Sequence, residues 1–397
     1  MNVSEWGLPE LLAPVSFRQF EEEYRERTIL HVTERAKDYY ANLFSRSDLD
    51  LLLWVSKPGW GKVQLANSLR GADWVDYTAL PPDAATLRQA YCQGDTVVIN
   101  DLQELWPPVA ALSRACEERF GCLVNVNAYL TPDGSQGLGA HYDTQDGLIL
   151  QIEGAKLWKL YGSARELPLP DDDTDISDTL NNSVAREIRL NPGDLLYIPR
   201  GFVHEAITLA ESSLHLTVTV NDVRWGTLVE ASLGSALRAA SAEEIEFRRS
   251  LPKEWLSGCA TTELNGKLKA FVERLAARVS AEEGLEIIAS NLFREMRPLP
   301  GQLFDDDSGR RRLEPATVVE KARGMLCRLT KVGDRVRLAF PGGSLEFPRA
   351  VESALRVAAR CERFAVGDLG ESLSDSSKVM VVQRLIDEGI VVISQHG

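Results

Sequence analysis

No two cysteines in this chain are spaced as CxxC. The six present (Cys92, Cys116, Cys122, Cys259, Cys327 and Cys361) are scattered. That argues against a zinc ribbon or a disulfide framework and fits a reducing, intracellular compartment, so a cytoplasmic location is expected. Long apolar runs are missing too: nothing approaches the ~20 residues of a bilayer span, so no membrane role is expected. The opening residues, MNVSEWGLPELLAPVSF, have no basic stretch followed by an apolar one, which excludes a secretory signal of the usual form there. Positive charge is in deficit as well. A formal net charge of −14 argues against general nucleic-acid binding, which rests on Lys and Arg against phosphates. Histidine is scarce, with five in the chain, so where they fall carries information.

What is present is ordinary for a globular protein: 44% hydrophobic and 26% charged residues over 397 positions, room for two or three domains. Three zones separate by pattern. Residues 1–225 begin with an amphipathic helical stretch, SFRQFEEEYRER, and continue as short strands between Gly, Pro and Asp turns. The strands are CLVNVNAYL (122–130), GLILQIEG (147–154), KLWKLYG (156–162), DLLYIP (194–199) and SLHLTVTV (213–220). Many short strands of this kind predict an antiparallel sandwich or barrel. Residues 226–300 read as helical. Ser241 with Glu244 has the spacing of a capping box, and Leu268, Phe271, Val272, Leu275 and Val279 recur at helical intervals. Such a stripe faces either a core or a second subunit, and both readings stay open.

Residues 301–397 form a small final domain after the linker RPLPGQLFDDDSGRR. A hairpin (RVRLAFPGGSLEF), a helix (PRAVESALRVAARCERF), then a helix, a Gly389 stop and a strand suggest a winged-helix-like module. Its residues 338–397 carry six basic and eight acidic side chains, so sequence-specific DNA binding is not expected. Just upstream, residues 310–337 hold nine Arg/Lys against three Asp/Glu, either a self-compensating surface or a patch for an acidic partner.

His141 and Asp143 stand two apart in a strand-like run, where i and i+2 project to one face. His204 follows a turn–strand–turn passage, PGDLLYIPRGFVHEA, and a sheet folding back could set it opposite the pair. Two imidazoles and one carboxylate on one face make the facial triad of non-haem Fe(II) oxygenases. The bland alternative is a pair of hydrogen-bonded sheet histidines. In KLWKLYG, alternation places Lys156 with Trp158 and Leu160 on the largely apolar face, whereas Lys159 faces out. A buried unpaired ammonium is costly, so Lys156 either reaches water or meets an anion, such as the far carboxylate of 2-oxoglutarate. Asn125, Asn127 and Tyr129 share a strand face and are either solvated or hydrogen-bonded to a bound carboxylate.

The stretches NAYLTPDGSQGLGAHYDTQDGLILQIEGAKLWKLY and PGDLLYIPRGFVHEA, with the terminal FPGGSLEFP and DLGESL segments, resemble the JmjC-type ribosomal oxygenases of the cupin superfamily. The resemblance implies a mainly β catalytic domain, a double-stranded β-helix or cupin jelly roll, followed by a helical dimerisation region and a C-terminal winged-helix-like domain. It places the metal ligands on His141, Asp143 and His204, the residue for the distal 2-oxoglutarate carboxylate on Lys156, and further pocket residues on Asn127, Tyr129, His215 and Thr219. The implied cofactors are Fe(II), 2-oxoglutarate as co-substrate and O2. The implied reaction is hydroxylation of the β-carbon of a His or Arg in a ribosomal protein by a homodimer. Two other readings stay open: a JmjC hydroxylase or demethylase of another peptide, and a non-catalytic cupin binding module.

Overall fold

The computed structural model describes residues 6–56, 59, 61–70, 72–75, 83–173, 175–181, 184–257, 261–299 and 313–394. Cys259, His396, the acidic run 305–307 and most of the linker expected at 297–311 lie outside the described residues. The chain divides into two compact units, Met1–Asp222 and Val223–Gly397.

The first unit contains eleven strands: β1 (Leu30–Val32), β2 (Val63–Asn67), β3 (Ala72–Trp74), β4 (Thr96–Ile99), β5 (Leu123–Thr131), β6 (Asp146–Glu153), β7 (Lys156–Ser163), β8 (Arg186–Leu190), β9 (Leu195–Ile198), β10 (Phe202–Thr208) and β11 (Ser213–Asn221). Eight form one sheet in the order β1-β9-β6-β11-β5-β4-β2-β3, and three form a smaller one, β10-β7-β8. All of these pairings are antiparallel.

The large sheet is covered on both faces, and this explains its sequence. Val124, Val126, Ala128, Leu148, Leu150, Leu214, Leu216 and Val218 pack in one core with Leu8, Leu11 and Leu12 of helix Leu8–Leu12 and with Val109, Leu112 and Cys116 of helix Pro107–Phe120. The opposite face contributes Ile149, Leu196 and Ile198 to a second core with Trp158, Leu160, Ile188 and Leu190 of the small sheet. Strand β6, buried on both sides, therefore shows no apolar–polar alternation: Gly147–Leu148–Ile149–Leu150 is a continuous apolar run, flanked by the buried polar Asp146 and Gln151. At β5 the alternation survives: Val124, Val126 and Ala128 are fully buried, while Asn125, Asn127 and Tyr129 point the other way and are half-buried. A leucine-to-alanine change in the larger core, such as Leu148→Ala, is expected to cost about 2–5 kcal/mol in urea unfolding.

The second unit opens with helices Trp225–Glu243, Thr261–Ala276 and Ala281–Glu295. Two helix expectations need correction. Ser241 does not cap a new helix; it lies in the last turn of Trp225–Glu243, because the small and apolar run from Leu228 carries that helix onward. Val279 lies beyond the end of Thr261–Ala276, so it does not extend the stripe. The rest of that stripe divides: Leu268 is 58% exposed and Val272 50% exposed, whereas Phe271 and Leu275 are half-buried, Phe271 against the Phe247 ring.

The remainder holds β12 (Val318–Lys321), β13 (Arg328–Val332), β14 (Arg335–Phe340), β15 (Gly343–Pro348), β16 (Arg363–Ala365) and β17 (Val391–Ile393), with helices Glu352–Arg360 and Asp375–Asp387. These strands make two three-stranded sheets, β16-β12-β17 and β13-β14-β15. The hairpin, both helices and the last strand lie where the pattern puts them, and Gly389, at φ 68, turns the chain after the final helix. In the basic segment, the strands spread the charges out and pair many of them. Lys321 meets Glu362, Arg328 meets Glu286, Lys331 meets Glu352, and Arg335 and Arg337 share Glu346. Five of the nine basic side chains are thus paired, while Arg310, Arg311 and Arg312 lie outside the described residues.

Candidate active site

Between the two sheets of the first unit lies a cavity of about 90 Å³, whose lining includes His141, Asp143, His204, Lys156, Trp158, Tyr129, His215 and Thr217. His141 and Asp143 precede β6, and His204 sits on β10. An isolated antiparallel bridge joins them: the His141 main-chain N–H donates to the His204 carbonyl at 3.1 Å, and the His204 N–H donates back at 2.8 Å. The fold-back anticipated from the turn grammar is this bridge.

Asp143 stands between the two imidazoles. Its Oδ1 is 3.7 Å from His141 Nε2, and its Oδ2 is 3.7 Å from His204 Nε2. One ligand atom from each residue falls within 4.8 Å of the others. The second ring nitrogens settle the tautomers. His141 Nδ1 is 2.8 Å from the Gly139 carbonyl and His204 Nδ1 is 2.9 Å from the Phe202 carbonyl. A carbonyl can only accept, so each Nδ1 carries a proton and each Nε2 faces Asp143. Burial, and then the neighbouring His141, lower the His204 pKa to about 4, so that ring is neutral at physiological pH. Two imidazoles and a carboxyl group, oriented from behind, are a donor set that fits a divalent ion with positions left open.

Lys156 lies deeper. It is 4% exposed, and among the described residues no carboxylate pairs with it. Burial lowers its pKa to about 7. His215 lies nearby; burial and then the Lys156 charge hold its pKa well below the usual histidine value. The His215 ring stacks on Tyr129 with centroids 4.8 Å apart and planes 2° from parallel. The Trp158 ring is 5.8 Å from both His204 and His215, joining the two ends of the cavity. Two buried polar atoms in this wall have no hydrogen-bond partner among the described residues, Trp158 Nε1 and His215 Nδ1. Tyr129 keeps its proton, its pKa raised to about 12 by burial and by Asp143.

Two expected pocket residues are not in the cavity lining. Asn127 stands just behind it: its side chain hydrogen-bonds Tyr129, which does line the cavity, and its Oδ1 accepts from the Asp101 main-chain N–H at 2.9 Å. Thr219 is also outside; the threonines at the cavity are Thr96 and Thr217, the latter one strand repeat closer to His215. Asn125 is engaged too, donating to Asp101 Oδ1 and accepting from Asn221. Asp101 adopts a left-handed φ of 52, and these two amides brace the turn it makes. The strand period alone could have shown Thr217, since it shares a face with His215. No sequence signal distinguished Asn127 as a turn brace.

Residues 103–228 match the family described as JmjC domain. Rat ribosomal oxygenase 1 is 35% identical over 287 residues, spanning 70% of this chain and 47% of that protein. The chain carries a JmjC domain and is similar to the ribosomal oxygenases. Human ribosomal oxygenase 1 is 34% identical over 289 residues, with 70% of this chain and 44% of that protein covered. The bifunctional lysine-specific demethylase and histidyl-hydroxylase NO66 of Culex quinquefasciatus is 30% identical, with 73% and 47% covered. The chain thus spans under half the length of these curated relatives. A solved structure of Escherichia coli YcfD, 18% identical, matches with a TM-score of 0.57 across 96% of this chain and 99% of that one. It shows that this chain shares the YcfD fold.

Proposed function

We propose that this chain is an Fe(II)- and 2-oxoglutarate-dependent protein hydroxylase whose target is the β-carbon of a histidine or arginine in a ribosomal protein. The observation that carries the reading is one cavity holding both the His141–Asp143–His204 triad and an unpaired buried lysine. Relatives named ribosomal oxygenase and histidyl-hydroxylase, and a YcfD structure in complex with cobalt and 2-oxoglutarate, support it. When bound, iron and 2-oxoglutarate supply the oxidising chemistry with dioxygen.

The chain's own residues supply position and seclusion. His141, Asp143 and His204 would hold the ion, with the Gly139 and Phe202 carbonyls fixing the two rings. Lys156 would meet the distal carboxylate, and the neutral His215 and Tyr129 beside it can donate hydrogen bonds without adding charge. Leu138, Ile149, Trp158 and Ile198 keep water from the reacting end. Asp143, 51% exposed at its side chain, marks the mouth through which a peptide would enter. A ribosomal protein holds RNA through Lys and Arg. An acidic stretch suits it: the Tyr142 hydroxyl, between His141 and Asp143, donates to the Asp172 carbonyl at 3.0 Å and so ties the segment with Asp171, Asp172, Asp173, Asp175 and Asp178 to the triad segment. Peptide KM is therefore expected to rise with ionic strength while kcat holds, as steady-state assays at increasing salt would show.

Mass spectrometry of ribosomal-protein peptides incubated with enzyme, Fe(II) and 2-oxoglutarate tests the activity. A gain of one oxygen on a His or Arg is expected, and no succinate formation with any such peptide would sink the reading. A second reading, lysine demethylation, is favoured by the names of the NO66 relatives, and loss of a methylene from a methyl-lysine peptide would establish it. The half-exposed Leu268 and Val272 support 226–300 as a helical dimerisation region, with 301–397 as a winged-helix-like domain. Light scattering at micromolar concentration is expected to give a dimer mass, and Leu268→Glu with Val272→Glu a monomer mass. The enzyme would work in the cytoplasm, where ribosomal proteins are made.

A further inference from the structure

Beyond the β6–β9 ladder and the Gln136–Glu205 hydrogen bond, three contacts close to the triad tie the segment bearing His141 and Asp143 to the one bearing His204. The first is the His141–His204 main-chain bridge, and the second is Gly201 N–H donating to the Asp143 carbonyl at 2.9 Å. The third is different in kind. The Arg200 main-chain N–H donates to Asp146 Oδ1 at 3.0 Å, and the Tyr197 hydroxyl donates to Asp146 Oδ2 at 2.5 Å. Of the three, it alone depends on a side chain.

That side chain is an unusual choice for its place, because Asp146 is only 2% exposed at the start of β6. A buried carboxylate is costly to desolvate, and an apolar residue would avoid the cost. The Pro199–Arg200–Gly201 turn supplies the reason for an acceptor: it carries main-chain N–H groups into the interior, where each needs a partner. The turn also requires Gly201, at φ 85, since a Cβ there would collide with the Arg165 carbonyl. Around Asp146 the ties extend outward. The Tyr197 hydroxyl accepts from Glu26 N–H at 2.9 Å. The Arg200 guanidinium reaches Glu26 at 2.6 Å and Asp222 at 3.4 Å, and Arg25 reaches Asp222 at 2.5 Å.

We propose that Asp146 is a positioning residue for the triad: by holding the Arg200 N–H and the Tyr197 hydroxyl, it fixes the span between the Asp143 carboxylate and the His204 imidazole. The proposal rests on the metal-centre reading given above. Asp146 touches neither substrate nor ion, so its effect is read in metal affinity, with activity as a separate measurement.

The test is Co(II) titration of the full chain, without 2-oxoglutarate, followed by visible absorption and calorimetry. Urea unfolding of the metal-free proteins runs alongside. Asp146→Ala is expected to bind Co(II) about 10–100-fold more weakly than the wild type, the range for lost outer-sphere support. Asp146→Asn is expected to recover most of that loss, because its amide oxygen still accepts from Arg200 N–H. Tyr197→Phe keeps the ring and removes the hydroxyl, so it is expected to fall between the two, and it serves if Asp146→Ala does not fold. Wild-type Co(II) affinity in every folded variant, even with lowered stability, would overturn the proposal and leave Asp146 a plain core residue. Failure of the wild type itself to bind Co(II) would instead overturn the metal-centre reading.

Discussion

Replacing Lys156 with methionine will make the ligand-free protein more stable and leave it unable to hold a dicarboxylate. The two effects have one cause. Burial takes the lysine pKa from 10.5 down to about 7. The unfolded chain therefore binds a proton between pH 7 and pH 10.5 that the folded chain does not. Stability rises with pH through that window, and the lysine's penalty is fully present below it. The full shift bounds the penalty at roughly 4–5 kcal/mol, and after relaxation Lys156→Met should recover about 2–4 kcal/mol at pH 7. Urea unfolding of the two ligand-free proteins reads this directly.

Dicarboxylate binding moves the other way. Truncating one partner of a buried charge pair costs several kcal/mol, so 2-oxoglutarate affinity is expected to fall about 100-fold or more. Calorimetry with a redox-inert divalent ion in place should find the metal affinity little changed. Equal loss of metal and 2-oxoglutarate would mean that Lys156 supports the fold of the site instead of meeting the ligand. The wild type offers a further check. Above pH 7 the free lysine is largely neutral, so an incoming dianion must bring a proton with it, and 2-oxoglutarate affinity should weaken as pH rises from 7 to 9.

Asp143→Ala is expected to abolish turnover while barely changing stability. The carboxylate lies 3.7 Å from both imidazole nitrogens, and at 51% side-chain exposure it contributes little burial to the core. Removing the sole anionic ligand should lower succinate formation by at least about 1000-fold, with unfolding free energy within about 0.5 kcal/mol of the metal-free wild type. His204→Ala would be a poorer probe. That ring is 5% exposed and stacks near Trp158, so its loss also empties part of the core. Retention of Fe(II)-dependent succinate production in Asp143→Ala would exclude the triad from the reaction.

The strand set and the triad were legible because each depends on short-range pattern. The five strands read from alternation and turn residues lie within a residue of β5, β6, β7, β9 and β11. HxD puts two ligands on one side of the chain by geometry alone. The other six strands of the first unit, β1, β2, β3, β4, β8 and β10, were not read, because they are short or lack alternation and their pairing partners are mostly remote. Asn127 shows the limit at the site. It shares a strand face with Tyr129 as expected and hydrogen-bonds it, yet its Oδ1 is also taken by the left-handed turn at Asp101, a tertiary fact. Asp146 is the converse, a carboxylate at a strand edge whose partners, Tyr197 and Arg200, come from far along the chain.

The bridge between His141 and His204 also bears on the order of assembly. Those residues lie far apart in sequence, and the strands between them must first pair into both sheets before the two imidazoles meet. Contacts of such sequence separation form late, after their loop-closure entropy has been met by other pairings. A divalent ion offered to the nascent or denatured chain would find only the adjacent His141 and Asp143, a weak bidentate grip. Offered to the finished fold, it would act as a staple across two remote segments and slow their separation. Metal should therefore retard unfolding far more than it hastens refolding.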